Sequence, residues 1–303
     1  MTTLNTPPRS ADRPASVAPT SQVDLHCEGG TLASMAVMNA GTLVLGSGTT
    51  PASVRLVRIQ LDLRFKLTPT RSVTVRNWFK GPSHRPQRIS FSDGSAWRPT
   101  DIDTMDIGVL GTPASESVYG NAGDNLILAG AGNDLVYDNQ GHNVMHGGDG
   151  NDFLIGQGAM NGDAGNDILI AAGDARHNVY HYDVGGGNDI LYARSDVSNG
   201  RAQGTVAFGD GLDPSRLWFR RHGSDLDINV VGTLGGITIR NWYLDAACQV
   251  AGFKAGNGRL LARDKVEALV QVMAGFTLPV SAHTVPGEAA RQALATAIAA
   301  NWM

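Results

Sequence analysis

Between Gly120 and Tyr192 the chain repeats one order of residue types at a nine-residue pitch: GNAGDNLIL from Gly120, AGAGNDLVY from Ala129, DNQGHNVMH from Asp138 and GGDGNDFLI from Gly147. A shortened stretch, GQGAMN, precedes GDAGNDILI from Gly162; a divergent GDARHNVYHY and a last VGGGNDILY from Val184 follow. A fixed period of this kind means a stacked architecture, because each unit is too short to bury an apolar face alone. In each unit six glycine- and Asx-rich positions predict a turn and the last three a short strand. The middle strand residues, Ile127, Val136, Met145, Leu154 and Leu169, are then expected to point inward, and two units complete one coil.

Charge sharpens the picture. The net charge is −4 over 303 residues, yet Gly120 to Leu191 holds ten Asp against one basic residue, Arg176, so this segment carries −9 and the rest +5. Such a surface repels phosphates, which speaks against nucleic-acid binding, and suits a cation. Asp134, Asp152 and Asp167 recur on alternate turns and so stack along one edge of the roll. Close carboxylates repel by about 1 kcal/mol or more per pair unless a cation lies between them. Calcium, which takes six to eight oxygens from carboxylates and backbone carbonyls, fits a glycine-rich turn.

These units resemble the RTX, or haemolysin-type calcium-binding, nonapeptide family, GGxGxDxUx. The resemblance implies a mainly β chain, with a parallel β-roll (an RTX solenoid) flanked by two small β-rich capping domains and short C-terminal helices. It implies calcium as cofactor. One site would use carbonyls of Ala129, Ala131, Gly148 and Gly150 with Asp134 and Asp152. The next would use Gly147, Asp149, Asp163 and Gly165 with Asp152 and Asp167, and Asp189 is a further candidate. On the opposite edge the sixth position holds Asn125, Asn143 and Asn178, whose neutral oxygens should bind calcium weakly or not at all.

A second duplication flanks the repeats: SVTVRNWFKGPSHRPQRISFSDGSAW (Ser72 to Trp97) and GITIRNWYLDAACQVAGFKAGNGRLL (Gly236 to Leu261). Both resemble the haemolysin-type calcium-binding-related domain. The first keeps Phe91, Asp93 and Gly94; the second has Phe253, Gly256 and Gly258 without that Asp. Trp78 and Trp242 are read as packing residues, Asn77 and Asn241 as turn residues, and the copies as caps on the ends of the roll. The expected division is 1–50 leader and first strands, 51–110 first flank, 111–191 roll, 192–262 second flank and 263–303 helices.

In the last segment Asp264 is the expected helix cap, with Glu267 at the box position, before an apolar face of Val266, Leu269, Val270 and Met273. A second helix from about Glu288 carries Leu294, Ile298 and Trp302 on one face. The segment resembles the uncleaved export signal of type I secreted RTX proteins, which implies a type I (ABC) secretion apparatus as partner and an extracellular location. The leader, residues 1–22, reads as a flexible Pro/Ser/Thr stretch without the apolar core of a signal peptide. No apolar run approaches the ~20 residues of a membrane span.

No HExxH helix, GxSxG elbow, P-loop or CxxC is present, so no catalytic residue is nominated. The paired histidines of HNVMH and HNVYH (His142 with His146, His177 with His181) lack a third ligand for zinc and are read as solvent-facing. Cys27 and Cys248 are read as inert thiols. The functional expectation is a secreted calcium-binding protein with a cell-surface or matrix target. The alternatives are a non-catalytic remnant of a larger RTX toxin or surface adhesin, and a hydrolase with an unrecognised site.

Overall fold

The computed structural model describes residues 23–173, 175–194, 204–278 and 288–303; the leader 1–22 lies outside them. Its centre is a two-walled parallel roll. On one wall Leu126–Leu128 lies beside Val144–His146, then Ala159–Asn161, Val179–Tyr182 and Thr205–Phe208. On the other Ser117–Tyr119 is followed by Leu135–Tyr137, Phe153–Ile155, Ile168–Ile170 and Ile190–Tyr192. The coil repeat is 18 residues, two nonapeptides, as the period requires. It contracts to 15 where GQGAMN shortens a unit and expands to 22 where the divergent unit intervenes.

Because strand side chains alternate, every middle residue faces inward. One wall stacks Val109, Ile127, Met145, Met160, Tyr180, Val206 and Phe253; the other stacks Val118, Val136, Leu154, Leu169, Leu191 and Ile239. All are 5% exposed or less, and each buried aliphatic side chain contributes roughly 1.5–3 kcal/mol. The five residues expected to point inward all do.

Hydrogen bonding passes without a break from the roll into both flanks, giving an 18-stranded sheet among the described residues, beside a four-stranded sheet within the first flank. The duplicated flanks share local geometry. Asn77 and Asn241 are left-handed (φ 57° and 59°), and the backbone N–H of each donates to a carboxylate, that of Asp62 and that of Asp225, both at 2.7 Å. Trp78 and Trp242 are buried, and their carbonyls accept from Arg85 Nε (3.0 Å) and Gln249 Nε2 (2.9 Å). In the closing turn Gly94 and Gly258 correspond, with φ 87° and 85°. The turn acceptor of the second copy is Asn257, which takes the Arg259 N–H as Asp93 takes that of Ser95. The second copy therefore keeps the turn acceptor, as an amide.

The copies meet the roll through opposite edges of the same meander. In the first, Arg55–Ile59 pairs with Gly108–Leu110; in the second, the strand Gly236–Ile239 pairs with Asn188–Leu191. At the far edge of the second copy, the Phe219 N–H donates to Met273 Sδ at 3.1 Å, so the C-terminal helix Val266–Ala274 covers a strand edge that would otherwise invite pairing.

That helix buries Val266, Leu269, Val270 and Met273 as its periodicity predicts. Its start differs from expectation: a 3-10 turn, Arg263–Lys265, leads in, the cap position is Lys265, and no side chain caps it, so Asp264 does not act as the cap. After the helix Glu288–Asn301 the chain ends in a small antiparallel bridge. Leu260 and Met303 exchange backbone hydrogen bonds (2.7 and 2.9 Å), and buried Trp302 packs edge-on to Phe219. Cys27 and Cys248 are free thiols with raised pKa through burial. No helix among the described residues is long and apolar enough to cross a membrane.

Candidate calcium sites

The register places Asp134, Asp152, Asp167 and Asp189 in one column at the turns that enter the second wall. Each is at most 3% exposed. One oxygen of each carboxylate belongs to a ladder: the backbone N–H of Glu116 donates to Asp134 Oδ1 (2.8 Å), Asp134 to Asp152 (2.8 Å), Asp152 to Asp167 (2.8 Å) and Asp167 to Asp189 (3.0 Å). The partner of Asp189 is thus the turn of Asp167, not the divergent unit with Arg176. Outside this column runs a parallel one that sequence reasoning missed: Asn133, Asn151 and Asn166 each accept the N–H of the next Asn at 2.8 Å. Its signal was the Asn that immediately precedes each of these aspartates.

The second carboxylate oxygen decides the chemistry. Asp134, Asp152 and Asp167 each bury Oδ2 with no protein donor. A buried unpaired carboxylate oxygen is costly, so these atoms call for a cation or a proton. Burial raises the pKa of all four aspartates, Asp167 to about 6 and Asp189 to about 8. The space beside these oxygens is kept open by missing side chains: a Cβ on Gly147 would lie 2.3 Å from Asp152 Oδ2 and 2.7 Å from the Gly162 carbonyl. Gly162, not named from the sequence, therefore presents an oxygen next to Asp152. Of the carbonyls named from the sequence, that of Asp149 already accepts the Gly132 N–H at 2.8 Å. Asp163 adopts φ 66°, and its carboxylate turns outward to His146 Nδ1 at 3.0 Å. Ala129, Ala131, Gly148, Gly150 and Gly165 lie in the same stacked turns.

Asn125, Asn143 and Asn178 form the opposite column and meet their turns differently. Asn125 Nδ2 donates to the Gly123 carbonyl and Asn143 Nδ2 to that of Gln140, each at 2.6 Å. The Asn143 Oδ1 accepts the Asn125 N–H at 3.0 Å, and Asn178 Oδ1 that of Gly158 at 2.8 Å. An amide N–H here satisfies the carbonyls that a cation would hold on the aspartate edge. Among the described residues no group of three or more His, Cys, Asp or Glu side chains is placed to hold a metal ion. His142 is exposed, whereas His146 is half-buried against Asp163.

The raised carboxylates fix a pH dependence. Their folded pKa values exceed the unfolded one near 4, so in chelator the contribution of these four carboxylates to stability is full below about pH 4 and is lost as pH rises through 6 to 8. With calcium the trend inverts, because the metal takes the deprotonated form and its apparent affinity grows with pH. Thermal unfolding at pH 5 and pH 8, with and without calcium, checks this; a chelated protein that gains stability with rising pH contradicts it.

A family model of the RTX calcium-binding nonapeptide repeat, four copies, matches residues 119–154. This part of the chain is an RTX repeat array, and repeats of this family bind calcium. The units from Gly162 and Val184 continue the same register beyond the matched stretch.

Proposed function

We propose that this chain is a secreted calcium-binding RTX protein whose roll completes its folding on extracellular calcium. The observation that carries this reading is the column of buried aspartates, Asp134, Asp152 and Asp167, whose Oδ2 atoms have no protein donor and lie against glycine positions. One calcium would be held by Asp134 and Asp152 with carbonyls of Ala129, Ala131, Gly148 and Gly150. A second would be held by Asp152 and Asp167 with Gly147, Asp149, Asp163 and Gly165, to which the Gly162 carbonyl is added; Asp189 extends the row. Bound calcium supplies positive charge between stacked carboxylates. The chain's own part is to hold one oxygen of each Asp on a backbone N–H, so that the other is aimed into the turn.

With dissociation constants of order 10⁻⁴ M and calcium about tenfold higher, each site contributes roughly 1.4 kcal/mol, so a row of sites sharing carboxylates is needed to drive folding. In a calcium-poor cytosol the same carboxylates disfavour the roll, which suits a chain exported unfolded. Residues 263–303 are the proposed export segment for a type I (ABC) apparatus; in the folded state their end is tied down through Met303 and Leu260. RTX repeats are generally non-catalytic, and a non-enzymatic role is proposed here. A surface or matrix target is favoured by Tyr119, Tyr137 and Phe153, which stand exposed on the outer side of one wall.

Limited proteolysis tests the reading. In calcium, cleavage is confined to sites outside 117–192; in chelator, the same protease cuts within it at least about tenfold faster. Equal rates would overturn it.

A further inference from the structure

The wall that runs from Ser117–Tyr119 to Ile190–Tyr192 keeps its middle residues in the core, so alternation turns the residue before and the residue after each of them outward. The register stacks these outward residues in two columns, one from Ser117 to Ile190 and one from Tyr119 to Tyr192, and every side chain in them except Ser117 is apolar or aromatic. Phe153 is 47% exposed, Tyr119 42%, Tyr137 39% and Tyr192 37%, and the Tyr119 and Tyr137 rings stand 6.4 Å apart. Beside the first column runs the outer asparagine ladder. Asn133, Asn151 and Asn166 are exposed, each commits its Oδ1 to the next backbone N–H, and their Nδ2 groups have no acceptor among the described residues. At the downstream end Ile170 and Tyr192 also line a recess of about 330 Å³, together with Arg194, Arg240 and Asn241.

Charge selects the occupant. Gly120 to Leu191 holds ten Asp, yet no charged side chain stands in the two columns or in the ladder beside them. The cations at the ends of the face are committed elsewhere: Arg58 donates to the Tyr119 carbonyl at 2.7 Å and lies over the Phe79 ring, Arg194 pairs with Asp245 at 2.8 Å, and Arg240 pairs with Asp225. We propose that this face binds an uncharged polysaccharide, with sugar rings lying on the tyrosines and Phe153 and their hydroxyl groups accepting from the asparagine amides; this deepens the reading of a surface or matrix target. Aromatic and aliphatic side chains cover the C–H faces of a sugar ring, and neutral amides serve its hydroxyl groups without burying a charge. A phosphate, sulfate or carboxylate polymer finds no cation in the columns to pair with. A second copy of the chain fits less well: five strands about 4.8 Å apart, each about five residues deep, present roughly 400 Å², about half of what each partner of a stable pair buries. A bilayer would leave the ladder amides in hydrocarbon without acceptors.

The test is frontal affinity chromatography of the full chain, in saturating calcium, on columns of immobilised neutral glucan, mannan and chitin, with heparin as the anionic control. The expected result is retention on at least one neutral column, unchanged between about 0.05 M and about 0.5 M salt because no ion pair takes part. Tyr137→Ala and Tyr192→Ala, which truncate outward side chains, each weaken that retention at least about fivefold while far-UV circular dichroism in calcium stays that of wild type. Either variant suffices should the other fail to fold. Passage through all three neutral columns, retention on heparin alone, or retention indifferent to both variants would overturn the proposal. Flotation with phosphatidylcholine vesicles and sedimentation equilibrium examine the other occupants: vesicle binding or a dimer that Tyr137→Ala abolishes, with no retention on a neutral column, assigns the face to lipid or to a second copy and overturns it as well. The calcium reading is scored separately, by the calcium dependence of folding. A chain that folds on calcium and is not retained loses only the present proposal, and one that is retained and folds without calcium loses only that reading.

Discussion

Asp152→Ala removes two calcium ions from the stoichiometry measured by isothermal calorimetry and raises the calcium concentration for half-folding by about 100-fold. The size follows from its position. Asp152 is 0% exposed and lies between the proposed sites with Asp134 and with Asp167, so one substitution disables both. Two sites at roughly 1.4 kcal/mol each amount to two decades in calcium. The Asp134 N–H also loses its acceptor, which adds a structural cost of about 1–3 kcal/mol. The outer ladder separates the two effects: Asn133→Ala deletes the acceptor of the Asn151 N–H without touching a carboxylate, and its calcium count stays at wild type. Equal counts for Asp152→Ala and wild type would remove the shared-carboxylate account.

Gly148→Ala is expected to destabilise the roll by more than about 4 kcal/mol even in saturating calcium. Gly148 sits at φ 105°, where side chains are strained, and its Cβ would fall 1.7 Å from the Gly130 carbonyl oxygen on the next coil. The clash is with backbone held in register, so it can be relieved only by parting two coils. Gly211→Ala is the comparison: it has φ 83° with nothing within 4 Å of the added methyl, and its cost is the conformational one, about 1 kcal/mol. Urea denaturation of both variants measures the difference, and similar losses would show that coil-to-coil contact is not what selects glycine at 148.

The inward residues were legible because the last three positions of each unit have one middle residue, and Ile127, Val136, Met145 and Leu154 fill it at a nine-residue pitch, with Leu169 following after the shortened unit. The aspartate edge was legible for the same reason: residue type and period together place Asp134, Asp152 and Asp167 on alternate turns. What the asparagines do was not. That Asn125 and Asn143 turn their N–H groups onto nearby carbonyls depends on where those carbonyls point, which no spacing reveals. In the second flank the sequence shows only that the Asp of the closing turn is missing, and Asn257 proved to be the counterpart of Asp93 once the hydrogen bonds were compared. Asp264 looked like a helix cap because Glu267 follows at the right distance; the intervening 3-10 turn moves the helix start past it.

The most direct test of the central claim is a calcium titration of the purified chain from chelator, followed by far-UV circular dichroism at pH 7.5. The account predicts a cooperative gain of β signal at calcium concentrations of order 10⁻⁴ to 10⁻³ M, shifted upward in Asp152→Ala. A chain that shows its full β signal in chelator and does not change on adding calcium would contradict it, and the buried aspartates would then be held neutral by protons instead of metal.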